Sequence, residues 1–220
     1  MQVDITTLKS EKLSPQDYNE LAKLHILCLP ESLVSFFGQK YIHQFYQYIS
    51  KSPFEFLLTH KNQGKIIGVC VLSLSPQTLS RRLVLRTLFL VRIPFAIYNI
   101  ILHLRSQLFI QCFCMFKFYL KRRKEKISIE KNSDPEVIHI FTDLKVRNQG
   151  LGTLMLEKCE AILIQKGFNR YIIKTWDDES KPAVKFYKQK GFVFRNRFWR
   201  HGLWMQTMEK SLTSAKNTCP

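Results

Sequence analysis

The sequence predicts an α/β fold, built as one domain with a basic, apolar insertion in its middle. Strand-like and helix-like patterns alternate on both sides of that insertion. Residues 136–166 read as a strand delivered through a glycine-containing turn onto a helix, and the composition changes abruptly between Pro76 and Asp134. A chain of 220 residues can bury one α/β core with an elaboration and is short for two full domains.

In chain order, residues 2–9 suit a short strand. Ser14-Pro15-Gln16-Asp17 then reads as a helix start, with Ser14 as N-cap and Pro15 at the first helical position. The helix places Leu21, Leu24, His25 and Cys28 on one face and stops near Pro30. A second amphipathic helix is expected from Leu33 to about Ile49. Phe54–Thr59 and Lys65–Ser73 are strand-like runs joined by the turn-forming segment His60-Lys61-Asn62-Gln63-Gly64, which predicts a hairpin.

The segment from Pro76 to Asp134 holds twelve Lys/Arg against three Asp/Glu, a surplus of nine in a chain whose net charge is +17. Its middle, Leu83–Leu120, is apolar but interrupted by Arg86, Arg92, Arg105 and Lys117, and Pro94 breaks any single long helix. The longest stretch without Lys or Arg, Ile93–Leu104, is shorter than the roughly 20 residues a spanning helix needs. Apolar bulk with intercalated arginine, ending in Lys121-Arg122-Arg123-Lys124, suits helices lying on an anionic membrane surface through residues 80–126. A helical subdomain, an oligomer contact and a membrane hairpin are the alternatives. Nucleic acid is disfavoured as partner, since no recognition motif accompanies the charge.

Six cysteines, Cys28, Cys70, Cys112, Cys114, Cys159 and Cys219, are scattered through apolar segments without CxxC pairing, so reduced structural thiols are expected and no metal site. The start, MQVDITTLKSEKL, lacks the basic and apolar regions of a secretory leader, which places the expected location in the cytoplasm.

Chemistry concentrates after the insertion. Glu136–Thr142 is a β-branched strand, Arg147-Asn148-Gln149-Gly150-Leu151-Gly152-Thr153 follows, and a helix runs from about Leu151 to Lys166. Such a unit aims free backbone N–H groups and the positive end of a helix dipole at an anion, and Gly150 and Gly152 let the backbone approach a phosphate. Two glycines alone leave an ordinary strand–helix turn as the alternative.

Arg147, Gly150 and Gly152 fill the defined positions of the Arg/Gln-x-x-Gly-x-Gly/Ala pyrophosphate loop, and Ala183, Phe186, Tyr187, Gly191 and Phe192 fill the Ala-x-x-aromatic-Tyr-x-x-x-Gly-Phe run that follows it. In both motifs, and in their order, the chain resembles the GNAT superfamily of acetyl-CoA-dependent N-acetyltransferases. The resemblance implies a central mixed, mostly antiparallel sheet flanked by helices, with the insertion placed before the fourth strand. It implies an acceptor-side half over 1–75, an insertion over 76–134, an acetyl-CoA half over 135–211 and a tail over 212–220.

The resemblance also implies site roles. The backbone of Ile140, Phe141 and Thr142 pairs with the pantetheine arm, with an N–H near Ile140 as oxyanion donor. Arg147, Asn148, Gln149, Gly150, Leu151, Gly152 and Thr153 hold the pyrophosphate of acetyl-CoA, and Ser180 and Ala183 border the cofactor. Ser180 stands where the family often has Asn. Tyr187 matches the general acid; a tyrosine packed behind the cofactor helix is the competing reading. Glu136, eleven residues before Arg147, matches the base. His139 titrates near neutrality, but a period of two puts it on the face opposite Glu136, where a packed histidine is expected.

Asp177, with Asp178 and Glu179, either attracts a cationic amine or forms a solvated turn. Glu31 and Ser35, between the first two helices, are acceptor-contact candidates, with solvation and capping by Ser32 as alternatives. This region resembles that of bacterial superfamily members acting on surface-polysaccharide amino sugars. The expected function is therefore acetyl transfer to a primary amine of a small acceptor, such as an amino sugar linked to a nucleotide or lipid. A protein or peptide amine, and a non-catalytic acyl-CoA-binding or membrane-scaffold protein, are the alternatives. The oligomeric state is left open.

Overall fold

A computed structural model describes residues 5–7, 13–86, 133–200 and 202–212. Most of the insertion, the C-terminal tail from 213, and Cys112, Cys114 and Cys219 lie outside the described residues, as does the expected membrane contact beyond residue 86.

β1 (Ile5–Thr7) is followed by α1 (Pro15–Cys28), whose start is the expected one. The Asp17 N–H donates to Ser14 Oγ at 3.1 Å and the Ser14 N–H donates to Asp17 Oδ2 at 2.9 Å, so two groups left over at the helix start are satisfied reciprocally. The single helix expected from Leu33 to Ile49 is instead two: α2 (Leu33–Phe36) and α3 (Gln39–Lys51). Gly38 separates them at φ +82, a left-handed turn that an uninterrupted helix cannot contain. α3 then buries Ile42, Phe45, Tyr46 and Ile49 at three- and four-residue spacing.

The hairpin is β2 (Glu55–Asn62) and β3 (Lys65–Ser73), so its turn is shorter than the expected five residues. Gln63 and Gly64 carry φ of +49 and +77, the pair of positive values that a two-residue turn matching strand twist requires. α4 (Pro76–Arg86) opens the insertion and is tied to the sheet through Arg82, which donates to the buried Glu55 carboxylate. Ser73 Oγ donates to the same carboxylate at 3.0 Å.

β4 (Glu136–Thr142), a 3-10 turn (Leu144–Val146), α5 (Leu151–Gln165), β5 (Arg170–Trp176), α6 (Pro182–Gln189), β6 (Val193–Arg200) and β7 (Leu203–Ser211) complete the chain. Seven strands form one sheet in the order β1-β2-β3-β4-β5-β7-β6, antiparallel except for β4–β5. The expected mixed, mostly antiparallel sheet flanked by helices is therefore present. Alternation divides the apolar residues between two cores. Leu57, Val69, Val71 and Phe141 pack with α1 and α3, while Leu58, Cys70, Leu72, Val137, Ile173 and Met208 pack with Met155, Leu156 and Leu163 of α5.

Candidate active site

The site starts from a fault in the sheet. β4 and β5 pair only through Glu136↔Ile172 and Val137↔Ile173, so the parallel ladder is two pairs long. Beyond Val137, the β4 edge facing β5 has no ladder partner among the described residues, and its backbone N–H and C=O groups are left for another strand-like partner. On its other side β4 pairs with β3 as Val71↔His139 and then Leu72↔Val137, leaving Ile138 as an extra residue, a β-bulge.

That bulge corrects one expectation. His139 does not lie opposite Glu136: its ring meets His25 at 5.1 Å and Phe45 at 5.8 Å, on the α1/α3 side of the sheet. Glu136 lies on that same side, paired with Ser73 of β3 and bridged to Lys174 of β5 at 2.5 Å, away from the Val137–Ile173 core. A simple period of two fails across an inserted residue. The accompanying expectation, that His139 is packed, holds: burial lowers its pKa to about 4.

Past Thr142 the chain turns through Asp143, whose carboxylate accepts from the Lys145 N–H at 3.0 Å, and through Asn148 (φ +63) and Gly150 (φ +80). The first helical bond of α5 is from the Leu154 N–H to the Gly150 carbonyl, so the N–H groups of Leu151, Gly152 and Thr153 precede the ladder and point out of the helix end. A Cβ on Gly150 would meet nothing within 4 Å, so the space before this end is open, and Arg147, Asn148 and Gln149 are exposed around it. This cradle fits a phosphate anion. A Cβ on Gly152 would stand 3.2 Å from the Phe186 ring, so its missing side chain lets α6 close against the start of α5.

Tyr187 sits on the α5/α6 side, 8 % exposed, its ring 5.4 Å from those of Phe186 and Phe192. Burial, assisted by the Cys70 thiol, raises its pKa above the usual tyrosine value, so the phenol keeps its proton through the neutral and alkaline range. Glu136 and Tyr187 thus face opposite sides of the sheet, with the β4–β5 gap between them.

Glu136 opens onto a cleft of about 540 Å³ that Asp134, Lys174, Arg195, Asn196 and Thr207 also line. Burial would raise the Asp134 carboxyl, but hydrogen bonds from Arg195 and Arg170 outweigh it and hold the group below the usual carboxylate range. Pro76 and Ser133, at the two ends of the insertion, reach the same cleft.

The acceptor-side candidates are already engaged. Ser35 Oγ donates to the Leu29 carbonyl at 2.7 Å, and the Ser35 N–H donates to Ser32 Oγ at 3.1 Å. Glu31 is exposed. Asp177 is bridged by Arg197 at 2.5 Å, and Ser180 donates its N–H and Oγ to Asp178 at 2.9 and 2.7 Å. Ala183 is exposed on the first turn of α6.

One element of this region escaped the sequence reading. His25, fully buried, links Tyr46 Oη at 2.7 Å with Ser32 Oγ at 3.1 Å, tying the α1–α2 connection to the core. Its helical spacing marked it as inward-facing but could not name its partners. Cys28 Sγ likewise donates to the Thr142 carbonyl at 3.3 Å, fastening the end of α1 to the end of β4.

Comparison with known proteins agrees with this geometry. The model of the acetyltransferase (GNAT) family matches residues 113–192. A curated relative, an uncharacterized N-acetyltransferase, MJ1207, of Methanocaldococcus jannaschii, is 39 % identical over 66 residues, which is 30 % of this chain and 28 % of that protein. The match therefore spans little more than a quarter of that relative. Among solved structures, a putative GNAT-family acetyltransferase from Desulfovibrio desulfuricans superposes with a TM-score of 0.60 at 10 % identity, covering 96 % of this chain and all of the other. Ard1 of Thermoplasma volcanium gives 0.55 at 13 % identity, covering 97 % and 100 %. The ribosomal-protein-S18-alanine N-acetyltransferase of Escherichia coli also gives 0.55, at 10 % identity, covering 100 % and 99 %. Residues 113–192 thus match the acetyltransferase (GNAT) family, and the chain as a whole has the fold of these acetyltransferase structures.

Proposed function

We propose that this protein transfers the acetyl group of acetyl-CoA to a primary amine of a small acceptor, an amino sugar carried on a nucleotide or lipid. The observation that carries the reading is the free β4 edge leading directly to the open start of α5. An extended pantetheine arm pairs with Ile140–Thr142, and its pyrophosphate rests on the N–H groups of Leu151–Thr153, with Arg147, Asn148 and Gln149 around it and Ala183 and Ser180 at the α6 side. The thioester supplies the activated acetyl group.

In the transfer a nitrogen–carbon bond forms and the carbon–sulfur bond breaks. The amine gives up one proton and the departing thiolate takes one. Glu136 takes the amine's proton, directly or through water in the cleft, while Lys174 fixes the orientation of its carboxylate. Tyr187 donates to the sulfur; burial keeps its phenol protonated and makes it a weaker acid than a free tyrosine, so the proton moves only as the carbon–sulfur bond breaks. A backbone N–H near Ile140 steadies the oxyanion. Asp177 and Glu31 border the acceptor's approach, and Ser35 shapes it through the loop. The insertion keeps the enzyme at the cytoplasmic face of an anionic membrane, where a lipid-linked acceptor would be met.

Release of coenzyme-A thiol from acetyl-CoA, measured over amino sugars, polyamines and peptides, tests this reading. Amino-sugar-dependent release is expected, with Tyr187→Phe and Glu136→Gln each lowering kcat roughly a hundredfold and leaving acetyl-CoA affinity within about twofold. Release with peptides alone would move the acceptor class. Binding without turnover on any amine would identify a scaffold.

A further inference from the structure

The cleft beside Glu136 has a floor whose side chains the transfer chemistry leaves unused. β5, β7 and β6 run side by side beneath it. Their register sets Lys174 opposite Thr207 and Thr207 opposite Asn196, so the three side chains rise from one face in a row. A bulge at Arg195 brings Asn196 into that row: Phe194 pairs with Met208, which belongs to the α5-side core, and the next pair is Asn196↔Thr207. Two interstrand steps of about 4.8 Å carry the row from Lys174 to Asn196. The charged side chains lining the cleft are engaged within the protein. Glu136 is bridged to Lys174 at 2.5 Å, Asp134 to Arg195 at 2.5 Å and to Arg170 at 2.7 Å, and Arg195 also to Glu209 at 3.5 Å. The lining groups left over are uncharged: among the described residues, no hydrogen bond engages the side chains of Asn196, Thr207 or Gln77.

We propose, on the acetyl-transfer reading above, that this row holds the ring of a pyranose amino sugar, with its hydroxyls on Asn196 and Thr207 and its amine turned to Glu136. A side-chain amide and a hydroxyl each donate and accept, as ring hydroxyls do, so neighbouring sugar hydroxyls are matched without any charge. The β4–β5 ladder ends at Val137↔Ile173, and Lys174 is the first β5 residue past it, so the Glu136 end of the row meets the gap assigned to the pantetheine arm. A diphosphate finds no unpaired cation among the described lining residues, so a nucleotide or lipid carrier extends out of the cleft and the ring alone is read. An extended peptide finds no strand edge to join, because β7, beneath the middle of the cleft, is paired on both sides.

The test compares the full chain with the double variant Asn196→Ala, Thr207→Val, which removes hydrogen-bonding atoms and leaves the ion pairs in place. Titration with N-acetylglucosamine, followed by saturation-transfer NMR, needs no turnover. Saturable binding by the wild type is expected, at least tenfold weaker in the double variant, with the acetyl-CoA affinities of the two proteins within about twofold. Asn196→Ala alone, at an exposed position, is expected to weaken sugar binding at least threefold, so the test stands even if the double variant fails to fold. In coenzyme-A release, the KM for glucosamine is expected to rise at least tenfold in the double variant. Sugar binding that depends on Asn196 and Thr207, without coenzyme-A release on any amine, would uphold the sugar site and overturn acetyl transfer alone. Three results would overturn the proposal: no saturable sugar binding by the wild type; equal sugar binding by the wild type and the variants; or a KM for glucosamine 6-phosphate at least tenfold below that for glucosamine, which would reveal an unpaired cation in the cleft.

Discussion

His25 shows how a single residue sets the behaviour of the α1–α2 connection. Burial first, and the neighbouring His139 second, lower its pKa from 6.5 to about 3, while Tyr46 and Ser32 occupy its two nitrogens. The folded protein therefore holds this ring neutral at pH values where the unfolded chain protonates it. Its contribution to stability is complete above pH 6.5 and is lost as the pH falls toward 3, with a slope of at most about 1.4 kcal/mol per pH unit. Thermal melts between pH 7 and 4.5 should show His25→Gln less stable at neutral pH, through its lost hydrogen bonds, but less sensitive to acid than the wild type. Parallel pH profiles for the two proteins would remove His25 as the source. The sequence showed that His25 faces inward, but a partner seven residues away and another twenty-one away are products of packing.

Among the elements, α5 and the turn before it form the proposed pyrophosphate cradle. Gly150 holds φ +80 with no neighbour near its absent Cβ, so Gly150→Ala strains the backbone without filling any contact. The left-handed conformation costs a side chain about 1–2 kcal/mol, and relieving it would rotate the N–H groups that begin α5. The variant should bind acetyl-CoA at least tenfold more weakly while its melting point falls by only a few degrees; unchanged affinity would mean that the turn does not hold the pyrophosphate. This element was legible because its determinants are local: a β-branched strand, two glycines and a helix in sequence. The start of α1 was legible for the same reason, through Ser14 and Asp17. The break at Gly38 was not, since glycine is also tolerated inside amphipathic patterns. The bulge at Ile138 was not either, because an extra residue is defined by its register against β3.

At the scale of the molecule, one seven-stranded sheet with a two-pair β4–β5 ladder separates the α5/α6 side, which carries Tyr187, from the face that carries Glu136. The motifs of residues 136–192 predicted that architecture through the superfamily resemblance. They could not predict that Asp177 is bridged to Arg197 or that Ser35 caps its own loop, since both partnerships depend on folded geometry. Among the described residues no helix is long and apolar enough to cross a membrane. In the proposed reading the β4 edge and the start of α5 form one acetyl-CoA site. Calorimetric titration of the full chain with acetyl-CoA tests it most directly: saturable one-to-one binding, displaced by coenzyme A and weakened at least tenfold by Gly150→Ala, is the expected result. The absence of saturable binding, or binding that ignores the Gly150 substitution, would contradict it.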